Sequence, residues 1–140
     1  MRSARLKAGA RVLLLVLALL LAASAAAEAA TLSTRYPGID VRPGERVTLS
    51  LKVATRAAGE VVSLEVASAP RGWQVQFKGG GFIVHRVFTE AGEPTFVDLQ
   101  VRVPADVKPG TYTVTLRASS PSGDSVLPLS LRINPEAVSY

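Results

Sequence analysis

From Val97 to Ala118 apolar and polar positions alternate twice, as Val97, Leu99, Val101, Val103 and then Tyr112, Val114, Leu116, Ala118. A period of two sends every second side chain to one face, so each run predicts a strand with a buried side and a wet side. Pro109-Gly110 lies between them and suits the centre of a type II turn, where proline presets φ and glycine accepts a positive one. The same alternation recurs as Val47, Leu49, Leu51, Val53 after Arg42-Pro43-Gly44-Glu45, and as Val62, Leu64, Val66 after a turn at Ala57 to Glu60. It returns as Trp73, Val75, Phe77 out of Ala69-Pro70-Arg71-Gly72, and as Leu127, Leu129, Leu131, Ile133 after Pro121 to Asp124. Pro128 interrupts that last run on its outward side, which predicts an edge strand or a bulge.

Two segments fit the pattern badly. Thr31 to Val41 is broken by Tyr36-Pro37-Gly38 and reads as a weak first strand. Phe82 to Phe88 is apolar at both parities, so it reads as one strand that is covered on both sides or carries an exposed patch. The expected total is seven or eight strands, and nothing after residue 30 has helical periodicity. Short strands split by Pro/Gly turns predict an all-β fold of antiparallel sheets, best matched by an immunoglobulin-like sandwich. Its expected core is Leu49, Leu51, Leu64, Leu99, Val101, Val114, Leu116 and Leu129, with Trp73 as a large plug and Tyr112 as a tyrosine corner bonded to upstream backbone.

Residues 1–29 change the charge picture. Arg2, Arg5, Lys7 and Arg11 precede an apolar run from Val12 to Ala23 and small residues near Ala25, Ala27 and Ala29, the layout of a secretory signal peptide. That leaves residues 30–140 as one domain. The whole chain carries 16 basic and 11 acidic residues, net +5. Four of the basic ones lie in the leader, so the remainder is nearly neutral in sum, and neither nucleic acid nor an anionic membrane is implied. Membrane contact is expected only if the leader is retained. The chain has no cysteine, so its stability must come from the core.

The groups that could do chemistry are few. His85 is the sole histidine, without the second His or Cys a zinc site would use, or a nucleophile motif beside it. Glu90 and Glu93 share a loop near Asp98, and Asp40 and Glu45 flank the first Pro-Gly corner. Paired carboxylates can hydrolyse glycosides, but loop carboxylates are usually solvated. Gly79-Gly80-Gly81 lacks the following Lys-Ser/Thr and helix of a phosphate cradle. The residues therefore predict no catalytic, metal or cofactor site.

Pro-Arg-Gly-Trp (Pro70 to Trp73), Val-Lys-Pro-Gly-Thr-Tyr (Val107 to Tyr112) and Tyr-Pro-Gly-Ile-Asp-Val-Arg-Pro-Gly-Glu (Tyr36 to Glu45), in that spacing, resemble the NPCBM-associated "NEW" domain, third of that name, of alpha-galactosidases. The resemblance spans Thr31 to about Asn134. It implies an extracytoplasmic immunoglobulin-like accessory module without catalytic residues. Such modules stand beside glycosidase or carbohydrate-binding domains, or in secreted and membrane-associated proteins whose genes accompany export transporters. The expected function is thus a non-enzymatic envelope module that binds a protein partner, a transporter or a glycosidase, with Phe82, Phe88 and Tyr36 as candidate contact residues. The alternative is a carbohydrate-binding accessory module, which would need two or three exposed aromatic rings.

Overall fold

The computed structural model describes residues 29–56 and 59–136; the expected cleavable leader otherwise lies outside them. Among the described residues ten strands form: β1 (Thr31–Thr34), β2 (Gly38–Val41), β3 (Arg46–Ala54), β4 (Glu60–Ser68), β5 (Gln74–Gly79), β6 (Phe82–Ile83), β7 (Arg86–Thr89), β8 (Thr95–Arg102), β9 (Gly110–Ser120) and β10 (Gly123–Ile133). They make two five-stranded sheets, ordered β1-β3-β8-β5-β6 and β2-β10-β9-β4-β7. The fold is an all-β, immunoglobulin-like sandwich.

Inward positions of the two sheets meet as the alternation requires. Leu49, Leu51 and Val53 of β3, Phe77 of β5, and Val97, Leu99 and Val101 of β8 come from the first sheet. Val62 and Leu64 of β4, Val114, Leu116 and Ala118 of β9, and Leu129, Leu131 and Ile133 of β10 come from the second. Each fully buried Val or Leu contributes about 1.5–3 kcal/mol of transfer free energy. The outer faces carry mostly polar side chains, with Val61, Phe88, Phe96 and Val126 among the exceptions.

The strand count exceeds the expected seven or eight because each irregular segment is two strands that belong to different sheets. Thr31 to Val41 places β1 antiparallel on β3, crosses at Arg35 to Pro37, and places β2 on β10. Phe82 to Phe88 places β6 on β5, crosses at Val84 and His85, and places β7 on β4. A chain that changes sheets must turn its inward side over at the crossing. Period two therefore fails there.

Three further expectations need correction. The β2–β10 pair is parallel, although only antiparallel sheets were predicted. The two are distant segments of the chain, and strands β3 to β9 between them supply the long crossover connection that a parallel pair requires. The hydrogen-bonded turn before β9 lies at Pro104 to Val107, where the Val107 N–H donates to the Pro104 carbonyl at 3.3 Å. Gly110 is instead the first residue of β9, not the second corner of a turn at Pro109-Gly110. Finally, Pro128 lies in a strand flanked on both sides, but β2 reaches only Ser130 to Ile133. The Ser130 N–H donates to the Pro37 carbonyl at 2.8 Å; two residues earlier, the missing N–H of Pro128 points past the end of β2.

Candidate functional site

Trp73 follows a tight turn in which its N–H donates to the Pro70 carbonyl at 3.2 Å. This delivers its ring to the mouth of the sandwich beside Tyr112, with centroids 5.3 Å apart and planes tilted by 45°. The Tyr112 hydroxyl donates to the Lys108 carbonyl at 2.8 Å, the upstream backbone bond of a tyrosine corner. Both rings are half-buried against the core. Trp73 is therefore a half-buried plug that packs against the core, as its phase implies. Packed in this way, it offers no flat platform for a sugar.

Of the residues with candidate chemistry, Glu90 and Glu93 share a turn in which the Glu93 N–H donates to the Glu90 carbonyl at 3.2 Å. His85, Glu90, Glu93, Asp98 and Asp40 are exposed, and among the described residues no cluster of three or more His, Cys, Asp or Glu could hold a metal ion. Asp40 accepts hydrogen bonds from Arg132 Nε (2.9 Å) and an Arg132 terminal nitrogen (2.7 Å) across the β2–β10 pair. Those bonds hold its carboxyl below the usual carboxylate range, against a smaller opposing effect of desolvation. This is a clamp on an edge strand.

The exposed apolar side chains are more informative, but they do not form one surface. Phe82, Phe88, Phe96 and Tyr36 are 74%, 59%, 63% and 63% exposed. Phe82 and the exposed Ile83 lie on β6, the last strand of the first sheet. Phe88 lies on β7, the last strand of the second, opposite the exposed Val61 of β4. These four residues mark one flank, where both sheets end in short strands. Tyr36 sits on the other flank, where β1 gives way to β2. There it lines an open groove of about 710 Å³ with Arg35, Phe96, Lys52 and the hydroxyl residues Ser33, Thr34, Thr48 and Ser50. The crossing at Val84 and His85 thus separates Phe82 from Phe88, which were expected on one strand.

Strand register reveals a feature that net charge conceals. On the outer face of the first sheet Arg46 stands opposite Arg102, which stands opposite Gln74. The next rows are Thr48, Gln100, Gln76 and then Ser50, Asp98, Lys78, Ile83, with Lys52 opposite Phe96 beyond them. The signal was present in the even-numbered charges of each strand, but a sum over the whole chain cancels it.

Residues 41–120, more than half of the chain, match the family model described as NPCBM-associated, NEW3 domain of alpha-galactosidase. The chain belongs to this family. The match includes the Pro70 and Val107 motifs and begins inside the Tyr36 one, so it is narrower at both ends than the resemblance read from the motifs. Among curated proteins none matches the sequence. Among solved structures, a family 123 glycoside hydrolase from Clostridium perfringens aligns with a TM-score of 0.52 at 8% identity, over 74% of this chain and 26% of the hydrolase. The secreted serine protease VesC from Vibrio cholerae aligns with a TM-score of 0.51 at 13% identity, over 79% of this chain and 24% of the protease. At such identities the likeness is one of fold. This NEW3 chain spans about a quarter of the length of either.

Proposed function

We propose that this chain is an extracytoplasmic, non-enzymatic accessory module that docks a protein partner in the cell envelope, either an export transporter component or a glycosidase. One observation carries the reading: Phe82 and Ile83 on β6, and Phe88 with Val61 on β7 and β4, are exposed along a single flank. Edge strands are normally kept short or carry charges, prolines or bulges that discourage pairing; β6 is only two residues long, but both are large, apolar and exposed. A partner that presents an apolar surface and an extended strand fits this flank. Membership of an accessory-domain family supports a non-catalytic role, and the company such modules keep supports a place outside the cytoplasm.

A photo-crosslinking residue at position 88 tests this in the native envelope. The expected result is one discrete adduct, lost in the Phe82→Ser/Ile83→Ser double variant and not formed from position 36 on the opposite flank. Retention of the same adduct by the double variant would overturn the reading.

A second reading, a carbohydrate-binding accessory module, is favoured by Tyr36 and Phe96. Two exposed rings and several hydroxyls line one open groove, and aromatic faces with hydroxyl partners suit sugar rings. Retardation of the protein in gels containing polysaccharide, relieved by Tyr36→Ala or Phe96→Ala, is its expected signature.

A further inference from the structure

The two outer faces of the sandwich handle charge in opposite ways. On the second sheet Asp40, Glu65 and Asp124 share the surface with Arg86, Arg117 and Arg132, and arginines pair with carboxylates at 2.7 Å (Arg132 to Asp40) and 3.9 Å (Arg117 to Glu65). On the first sheet the strands present Arg46, Lys52, Lys78 and Arg102 against a single carboxylate, Asp98. Among the described residues no ion pair involves any of these four cations. Arg35 adds a fifth at the rim of the groove.

Arg46 and Arg102 are direct cross-strand neighbours. Like charges in that position repel and destabilise a sheet, so folding alone does not account for them. A polyanion laid over the face would turn the repulsion into attraction. The patch runs about 20 Å along β3 from Arg46 to Lys52, at roughly 3.4 Å per residue, and about 10 Å across β3, β8 and β5. Arg46 and Arg102 lie within one Debye length of each other, roughly 8 Å at physiological salt. Lys52 and Lys78 stand farther along the strands, about 12 Å from each other and about 14–20 Å from the arginines at these spacings, so a ligand must extend along the face to meet all four.

The groups between the cations indicate the kind of polymer. Gln74, Gln76, Gln100, Thr48 and Ser50 supply amides and hydroxyls, with Gln76 already bonded to Gln100 at 3.2 Å, and Phe96 closes one end beside Tyr36. An acidic peptide added along an open edge of the sheet would leave Arg102 and Lys78 unused, since they lie on interior strands β8 and β5. A sugar chain rich in hydroxyls and bearing carboxylates can use the whole face. We propose that the outer face of β3, β8 and β5 binds an acidic polysaccharide, with Arg46, Arg102, Lys52 and Lys78 as its carboxylate contacts. This deepens the carbohydrate-binding reading, on which it rests for the class of polymer, and it is separate from the flank that docks a protein.

Affinity electrophoresis and calorimetry at 20 and 150 mM salt, with polygalacturonate, hyaluronate, dextran and polyglutamate as probes, test it. Polygalacturonate or hyaluronate should bind, with an affinity that falls as salt rises. Arg46→Gln/Arg102→Gln should weaken binding about tenfold, as expected for the loss of two exposed ionic contacts. Lys52→Gln/Lys78→Gln provides a second variant should the first fold poorly, as monitored by Trp73 fluorescence. Arg86→Gln/Arg117→Gln, with the same change in net charge on the second sheet, should bind like the parent. Equal loss in that control, equal binding of polyglutamate, or no binding of either acidic polysaccharide would overturn the proposal. Binding of dextran alone would overturn it yet leave the carbohydrate reading standing; no binding of any glycan would end both.

Discussion

Thr89 is fully buried at the end of β7, and among the described residues its hydroxyl has no hydrogen-bond partner. An unsatisfied buried hydroxyl costs about 1–3 kcal/mol, so Thr89→Val should raise stability by about 1 kcal/mol and the melting temperature by a few degrees. A melting temperature below the parent's would show that the hydroxyl is satisfied after all. Trp73 and Tyr112 teach a related lesson. Their phase placed both toward the core, and both do pack against it. How much of each ring remains uncovered depends on where the opposite sheet stops, which no local pattern encodes.

At the scale of elements, the Pro-Gly corners divide. Gly44 has φ +77°, and the Glu45 N–H donates to the Arg42 carbonyl at 3.1 Å, so the first corner is the type II turn that its residues imply. The Gly44 N–H also donates to the Pro104 carbonyl at 3.1 Å, tying this corner to the loop before β9. A Cβ at Gly44 would find ordinary contacts of 3.6 Å with Ala105, so Gly44→Ala meets no clash. It should cost about 1–2 kcal/mol through backbone conformation alone, read by chemical denaturation. If it cost nothing, the positive φ would not be required.

The Asp40–Arg132 clamp holds the parallel β2–β10 pair, and its pH dependence has a definite sign. The Asp40 carboxyl lies below its ordinary value of 3.8 in the folded chain. The stability it contributes is therefore complete above that value and is lost as pH falls through the folded one. Asp40→Asn should be less stable than the parent at neutral pH and low salt. That difference should begin to decline only below pH 3.8, vanish once pH has fallen through the depressed folded value, and shrink at high salt, because the pair is exposed. A difference that persists into acid would assign the effect to packing instead of charge.

For the molecule as a whole, the sandwich decides which side of each strand matters. Leu99 and Phe96 lie three residues apart on β8, yet Leu99 is fully buried and Phe96 faces out. Leu99→Ala should cost about 2–5 kcal/mol and Phe96→Ser about 0.5 or less, compared by thermal unfolding; similar losses would contradict the assignment of faces. The regular strands and the inner residues Leu49 through Leu129 were legible because burial of one face imposes period two on the chain itself. Two features were not legible, the sheet changes at Arg35 to Pro37 and at Val84-His85, because each follows from which distant strand lies alongside. The same holds for the cationic face. The even positions of β3, β5 and β8 can be read one strand at a time, but only pairing in register sets Arg46 against Arg102 and leaves Asp98 as the single carboxylate among four cations on these strands. Alternation is a local consequence of strand geometry, whereas charge separation, the parallel β2–β10 pair and the two flanks are relations between segments far apart in the chain, fixed only when the sheets close on each other.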